Sequence, residues 1–153
     1  MFNKILLCMI LVVSLFGEKI DVSSNEMKVN QNTKEIYFIG NAKVIQDKSF
    51  IYADKIIVYF NDDNMTKEYE AIKNVSFEFV KPKSHYKGKA NKVIYLPLDD
   101  IYILEGNAYV TDLINKRVIK GDKITLDTKS GNANVKGSRK KPVKCIFEME
   151  NKK

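Results

Sequence analysis

The segment Ala53-Asp54-Lys55-Ile56-Ile57-Val58-Tyr59-Phe60 decides how the rest of this chain is interpreted. It begins with a small residue, an acidic residue and a lysine, and alternating apolar positions follow. Ile56, Val58 and Phe60 are two residues apart, so in a β-strand their side chains point to one face. Three β-branched or aromatic residues on one face are typical of a strand that is buried on that side.

The same pattern occurs four times along the chain. The other copies are Ser24-Asn25-Glu26-Met27, Ala90-Asn91-Lys92-Val93 and Gly121-Asp122-Lys123-Ile124. The steps between the Asn or Asp positions are 29, 37 and 31 residues. After each copy comes a turn and then a second strand pattern, which reaches a Gly-Asn pair or its equivalent at residues 40–41, 73–74, 106–107 and 137–138. A period of about 30 residues held four times indicates a tandem array of strand pairs.

One alternation rule assigns an inner face to all of these strands. Apolar residues lie at even offsets from each Asn or Asp, and two and four positions before each Gly position, and the alternation continues in the strands that leave the Gly positions. The inner-face positions singled out by this rule are Ile36, Phe38, Val44, Ile56, Val58, Phe60, Val75, Phe77, Val93, Tyr95, Leu104, Val110, Ile124 and Leu126. Taken alone, this face is explained by an ordinary sandwich core as well as by a binding surface.

Turn-forming residues separate the strand patterns. Examples are Asn61-Asp62-Asp63-Asn64 and Ser130-Gly131-Asn132. No segment has a convincing helical period; the best candidate is residues 65–72, which we interpret as a strand. The sequence therefore predicts an all-β fold, with edge strands near residues 21–29 and 143–148.

The first residues are predicted to lie outside this fold. A lysine at position 4 precedes 12 residues without charge, from Ile5 to Phe16, and the chain turns polar at Glu18. A spanning helix needs about 18 apolar residues, whereas a secretory signal needs about 7–15. We interpret residues 1–17 as a cleaved signal peptide and residues 18–153 as a single domain; the alternative is an uncleaved anchor.

The chain is basic, with 26 Lys and Arg, 19 Asp and Glu and a net charge of +7. Such a balance points to acidic partners such as nucleic acid, anionic lipid or phosphorylated glycolipid. Export and the lack of a recognition helix or stacking platform argue against nucleic acid. Candidate contacts to an anionic head group are Lys81, Lys83, Lys87, Arg139 and Lys140, although such clusters are often solvated faces.

The residues needed for catalysis are scarce. One His and two Cys exclude most metal sites and His-dependent mechanisms, and no phosphate-binding loop is present. The acidic pairs at residues 62–63 and 99–100 lie in predicted turns. The sequence predicts no enzyme, no cofactor and no metal site. Cys145 shares one strand face with Val143 and Phe147, which predicts a buried strand residue.

The array resembles the OstA-like N-terminal family of periplasmic lipopolysaccharide-transport proteins, in particular its LptA branch. The resemblance covers about residues 20–147. The segments that carry it are Phe38-Ile39-Gly40-Asn41-Ala42-Lys43-Val44, Tyr52-Ala53-Asp54-Lys55-Ile56, Leu104-Glu105-Gly106-Asn107-Ala108 and Lys120-Gly121-Asp122-Lys123-Ile124. The second unit departs from the pattern, because it has Lys73 in place of Gly and is four residues longer, which leaves its hairpin geometry open.

This resemblance implies a twisted β-jellyroll, an open two-sheet sandwich whose apolar groove holds the acyl chains of lipopolysaccharide. It implies that the inner-face residues above bind lipid. It also implies head-to-tail self-association and edge-strand contacts with LptC-like inner-membrane and LptD-like outer-membrane partners, so that the array bridges the two membranes from the periplasm.

Two alternatives stay open at this point. One is a membrane-anchored, LptC-like partner of the same pathway, which would keep its N-terminal segment. The other is an exported structural protein that polymerises through its edge strands. The carrier and the polymer differ in the groove: Phe38, Val58, Phe60 and Phe77 pack against one another in a polymer subunit and line a gap in a carrier.

Overall fold

A computed structural model describes residues 20–149 and contains only β-strands and turns. The strands are β1 (Ile20–Ser23), β2 (Glu26–Asn30), β3 (Glu35–Gln46), β4 (Ser49–Phe60), β5 (Thr66–Lys81), β6 (Ser84–Leu96), β7 (Ile101–Asp112), β8 (Arg117–Asp127), β9 (Ala133–Lys136) and β10 (Lys144–Phe147). The all-β prediction is confirmed, and residues 65–72 belong to a strand. The described part of the chain has no helix that could cross a membrane. The predicted signal peptide, residues 1–17, lies outside the described residues.

Neighbouring strands pair antiparallel from β3 to β8. Short strands complete both edges: β1 and β2 pair with the two ends of β3, and β10 and β9 pair with the two ends of β8. The predicted edge strands thus lie where the sequence pattern places them. Consecutive hairpins explain this order, because each turn brings the next strand beside the previous one.

Every long strand is interrupted near its middle by a bulge. In β3 the pairing shifts between Ile39 and Ala42, where Gly40 and Asn41 have φ angles of 82° and 46°. In β7 the pairing shifts between Glu105 and Ala108, and Gly106 and Asn107 have φ angles of 81° and 47°. The Gly-Asn pairs of the repeat are therefore the corners of the fold, since glycine and asparagine tolerate positive φ better than other residues.

The second repeat unit forms the same corner without glycine. Lys73 and Asn74 have φ angles of 67° and 51°, and the pairing shifts between Ile72 and Val75. The Asn74 side-chain amide donates to Asp54 Oδ2 across the corner, at 3.1 Å. The second unit, whose geometry the sequence left open, therefore has the same corner as the other units. Its four extra residues lie in the longer β4–β5 hairpin.

The corners divide the sheet into two layers. Layer A comprises β2, β9 and residues 35–39, 55–60, 66–72, 92–96, 101–105 and 123–127, whereas layer B comprises β1, β10 and residues 42–46, 49–53, 75–81, 84–90, 108–112 and 117–121. Inner-face residues of both layers form one hydrophobic cluster. Layer B brings small residues to the corner, namely Ala42, Ala53, Val75, Ala90 and Ala108, so the layers approach closely there.

Candidate functional site

An apolar cavity lies between the two layers. Its volume is about 120 Å³. Its lining residues are Ile20, Val44, Gln46, Ser49, Phe50, Ile51, Ile56, Tyr69, Ala71, Phe79, Val93, Tyr95 and Tyr102. The walls are aliphatic and aromatic, with Gln46 and Ser49 as the polar side chains besides the tyrosine hydroxyls. Such a lining binds apolar ligand groups through the hydrophobic effect.

Aromatic side chains build the layer A wall of this cavity. Tyr69, Tyr95 and Tyr102 lie directly opposite one another on three neighbouring strands. The ring centroids are 5.9 Å apart for Tyr69 and Tyr95, and 4.4 Å apart for Tyr95 and Tyr102. Tyr69 is four positions from Lys73, Tyr95 is four from Asn91 and Tyr102 is four from Gly106.

One aromatic contact joins the two layers. Phe79 of layer B lies with its ring centroid 4.9 Å from that of Tyr102 in layer A. Phe79 also stacks on Phe77, with centroids 4.8 Å apart. Because β5 and β7 are not neighbours in the sheet, the Phe79–Tyr102 contact crosses the interior rather than following a strand pair.

The tyrosines that line the cavity are neutral at physiological pH. Burial, followed by the charge of Asp100, raises the pKa of Tyr102 to about 12. Burial also raises the pKa of Tyr69 and of Tyr95, and Tyr95 donates its hydroxyl to Asp100 Oδ1 at 3.1 Å. An uncharged wall is required for acyl chains, since a charge facing them would be desolvated without compensation.

The structure places the predicted inner-face residues in three environments. Val44, Ile56, Val93 and Tyr95 line the cavity. Eight others are buried in the core around it, namely Ile36, Phe38, Val58, Phe60, Val75, Phe77, Leu104 and Ile124, and Val110 and Leu126 are partly exposed. The lipid-binding role of the whole set stays a prediction.

Sequence analysis did not single out several cavity residues. Tyr69, Tyr102 and Phe79 have the inner-face alternation, but alternation does not distinguish a cavity residue from a core residue. For Phe50 the alternation predicts the outer face, and yet it lines the cavity. It lies near the end of β4, where the edge of the cavity is formed.

The predicted head-group residues are exposed and lie in two separate places. Lys81 and Lys83 flank the β5–β6 hairpin, and Lys87 follows on β6. Arg139 and Lys140 lie in the loop between β9 and β10, on the far side of β7 and β8. The fold does not bring the two clusters together, so they cannot hold one phosphate jointly.

Cys145 corrects a prediction. The alternation with its neighbours predicted a buried side chain, whereas the structure leaves Cys145 exposed. Its side chain does lie opposite Ile119 on the inner face, but β10 is a four-residue edge strand that no other described element covers. Alternation predicts a face, and burial requires a second layer over that face.

The described residues show no candidate metal site. Within residues 20–149, no cluster of three His, Cys, Asp or Glu side chains could hold a metal ion. His85 Nε2 lies 2.7 Å from Glu78 Oε2 on the neighbouring strand. This pair lies on the outer face of layer B and is explained as a cross-strand contact.

Comparison with known proteins extends these observations. The fold resembles the crystal structure of LptH, the LptA-homologous periplasmic component of the lipopolysaccharide transport device of Pseudomonas aeruginosa. The TM-score is 0.74 at 15% identity, covering 87% of this chain and 97% of that one. A search of curated protein sequences finds no match. The likeness to LptH confirms the fold expected from the sequence.

The family follows from a second comparison, made on the sequence. Residues 21–132 match the family model described as LptA/(LptD N-terminal domain) LPS transport protein. The match begins in β1 and continues to the end of the turn before β9, so it includes all six long strands and every corner. The chain therefore belongs to the LptA/LptD N-terminal domain family of lipopolysaccharide transport proteins.

Proposed function

We propose that this protein is a non-catalytic periplasmic carrier that holds acyl chains of lipopolysaccharide between its two layers. The observation that carries the proposal is the uncharged, aromatic cavity between the two layers. Family membership supports lipopolysaccharide as the cargo, and the periplasmic location of LptH supports the periplasm as the compartment. Removal of residues 1–17 as a signal peptide is part of this proposal.

The size of the cavity limits what it holds in this arrangement. At about 120 Å³ it is slightly smaller than an engineered cavity of about 150 Å³ that binds benzene. It therefore accommodates part of one acyl chain, and a whole lipid A requires the layers to separate further. Phe79 and Tyr102, which touch across the interior, are the side chains that must part first.

An open groove is also what release requires. Each buried methylene contributes about 0.8 kcal/mol, so a chain of about a dozen carbons gains on the order of 10 kcal/mol over water. Several chains held in a closed cavity would dissociate too slowly for transport. A groove that continues into the next subunit lowers this barrier, because the chains never enter bulk water.

Both edges of the sheet are open to partner strands. β1 and β2 form one edge, and β9 and β10 form the other. Unpaired backbone groups at such edges recruit further strands. We infer head-to-tail self-association through these edges and contacts of the same kind with LptC-like and LptD-like partners, which would make the chain a bridge between the membranes.

Photo-crosslinking tests the carrier function. A photoreactive phenylalanine analogue replaces Tyr95, which lines the cavity, and in a control variant replaces Tyr37, which lies on the outer face of layer A. The protein is purified with lipopolysaccharide and irradiated. An adduct at position 95 and none at position 37 is expected. Phe60 is a poorer position, because it is buried in the core and is not a cavity residue.

The polymer alternative is supported by one observation. Phe38, Val58, Phe60 and Phe77 are 2–4% exposed and belong to one packed cluster, as that function predicts. The gap expected for a carrier is formed by other residues. Adducts at neither position, from a folded and self-associating protein, would overturn the carrier proposal and leave a structural β-polymer.

The mature N-terminus distinguishes the carrier from the remaining alternative, a membrane-anchored LptC-like partner. An LptC-like protein keeps its apolar N-terminal segment as an anchor, whereas a carrier loses it. Mass spectrometry of the protein purified from the periplasm is expected to show a chain that begins near Glu18. A chain that still contains residues 5–16 and fractionates with membranes would favour the anchored partner.

A further inference from the structure

The outer face of layer B carries a continuous row of basic and aromatic residues. Cross-strand pairing aligns Ser23, Lys43, Tyr52, Ser76, Lys89, Tyr109, Lys120 and Lys144, one from each strand of the layer. Residues directly opposite each other share a face, so all eight side chains project to the same side. At about 4.8 Å between strands, the row is about 34 Å long and runs from one edge to the other.

The charge of this row is not neutralised by the described residues. None of its four lysines forms an ion pair within residues 20–149. Lys43 and Lys120 instead lie over the rings of Tyr52 and Tyr109, at 4.7 and 5.2 Å from the centroids. The nitrogen atoms thus remain available to an external anion.

The corresponding row of layer A is different. It consists of Glu26, Ile39, Lys55, Ile72, Lys92, Glu105, Lys123 and Lys136. Two of its residues are acidic, Lys123 pairs with Glu105 at 4.0 Å and Lys92 pairs with Glu70 at 3.3 Å. Of these two rows, only that of layer B therefore has charged residues that are all basic.

Exposed apolar side chains accompany the lysines on layer B. Tyr52 and Tyr109 are 38% and 37% exposed, and Ile146, on the next row of this face, is 53% exposed. Two shallow depressions, of about 390 and 430 Å³, meet at Tyr109 and are also lined by Lys87, Lys89, Lys120, Lys141 and Lys144. Asp122 is the one acidic residue among those that line them.

We propose that the outer face of layer B docks on an anionic lipid bilayer. The row spans the sheet from edge to edge and its charged residues are all basic, which matches a surface covered with phosphate groups. Lysines are attracted to anionic lipids, and tyrosines are favoured at the level of the head groups, where one end of the ring is apolar and the other is hydrated. This face lies on the opposite side of the sheet from the cavity, so docking is independent of the carrier function.

Vesicle co-sedimentation of the purified full chain tests this docking. One set of vesicles contains equal parts phosphatidylglycerol and phosphatidylcholine, and the other contains phosphatidylcholine alone. The test variant is Lys89→Gln with Lys120→Gln. Binding to the anionic vesicles is expected to fall about fivefold for each lysine, or roughly 25-fold for both, and to weaken with added salt.

A matched pair on the opposite layer is the control. Lys55→Gln with Lys136→Gln makes the same change in net charge, and Lys55 lies over Tyr37 at the same 5.2 Å that separates Lys120 from Tyr109. This control is expected to bind anionic vesicles nearly as the unmodified chain does. Since all variants share one N-terminal segment, the differences between them report on the faces alone.

Three results would overturn the proposal. The first is equal binding to neutral and anionic vesicles. The second is an equal loss in the test and control variants, which would show an effect of net charge only. The third is binding of single-stranded DNA as tight as that of the vesicles and with the same dependence on Lys89 and Lys120, which would make the face a general polyanion surface.

Discussion

Positive φ angles at single residues create the corners of this fold. Gly40 and Gly106 occupy them at little cost, whereas Lys73 adopts a φ of 67° with a full side chain. A left-handed conformation costs an L-residue other than glycine about 1–2 kcal/mol. The corner at Lys73 is thus formed because cross-strand pairing on both sides requires it, in spite of the local preference.

Replacement of Lys73 by glycine is expected to stabilise the protein. The free energy of unfolding should rise by about 1 kcal/mol, because the relief of strain exceeds the entropy that glycine adds to the unfolded chain. Urea denaturation measures this difference. The control Lys87→Gly, at an exposed position of β6 with ordinary backbone angles, is expected to destabilise. A loss of stability in both variants would show that Lys73 is not strained.

At the corners that have glycine, replacement of the glycine is expected to destabilise the protein. A Cβ atom added at Gly106 would lie 2.5 Å from Asn91 Nδ2, and one at Gly40 would lie 2.8 Å from Asn25 Nδ2. In these two repeats the Asn side chain therefore fills the space that the glycine leaves. Gly106→Ala combines this clash with a positive φ. It is expected to lower the free energy of unfolding by more than about 1 kcal/mol, the cost of a strained backbone. Urea denaturation measures this change, and an unchanged midpoint would contradict the expectation.

Asp112 holds the β7–β8 turn together through its carboxylate. It accepts hydrogen bonds from Arg117 Nη2 at 2.8 Å, from Asn115 Nδ2 at 2.8 Å and from the Asn115 backbone N–H at 3.1 Å. Burial raises the pKa of Asp112, but these hydrogen bonds outweigh burial and lower the pKa below its usual value. The ionised form is thus favoured in the folded state.

Asp112→Asn is expected to destabilise the protein by about 2 kcal/mol near neutral pH, because a charge-assisted network is replaced by a neutral one. A lowered folded pKa contributes stability above the unfolded pKa of about 4, and this contribution is lost as the pH falls through the folded pKa. Urea denaturation at neutral and acidic pH should show the two proteins converging in acid. A difference that is the same at both pH values would contradict this role.

The strands differ in how well their backbones are protected. β4, β5 and β6 lie between two neighbours each and contribute most of the buried side chains, whereas every residue of β10 is exposed. Backbone hydrogen bonds that are covered by few side chains open through local fluctuations. The edge that is expected to receive a partner strand is therefore also the least stable part of the described sheet.

Hydrogen exchange is expected to follow this order. Amides of β10 should exchange fastest among the strands, those of β1 should be intermediate, and those of β5 should approach the protection set by global unfolding. Mass spectrometry of exchanged peptides measures each strand. If β10 is as well protected as β5 in a monomeric sample, β10 is not an uncovered edge. If β10 becomes protected only when the protein self-associates, this result supports edge pairing.

At the scale of the whole molecule, the distance between the layers sets the size of the cavity. The layers meet in small residues at the corner and in the Phe79–Tyr102 contact farther out. Removing the ring of Phe79 leaves the strands paired and enlarges the interior. Loss of a buried ring elsewhere destabilises without any effect on the cavity, which makes the two kinds of substitution distinguishable.

Phe79→Ala is expected to increase the affinity for an apolar fluorescent dye, since it widens the cavity. Phe60→Ala is the matched control, because Phe60 is buried in the core and is not among the cavity residues. It should lower the free energy of unfolding by about 3–5 kcal/mol without a gain in dye binding. Dye titrations and urea denaturation measure both effects. A gain in both variants would indicate general loosening of the fold rather than a local enlargement.

The sequence by itself determined the fold class, the repeat and the face on which each strand is buried. Alternation has a period of two whatever the surroundings are, and Gly-Asn pairs tolerate positive φ in any context, so both signals are local. Tertiary structure decided which inner-face residues line a gap, because a cavity depends on the separation of two layers that are far apart along the chain. It therefore placed Phe60 in the core, Phe79 and Phe50 at the cavity and Cys145 on an uncovered edge.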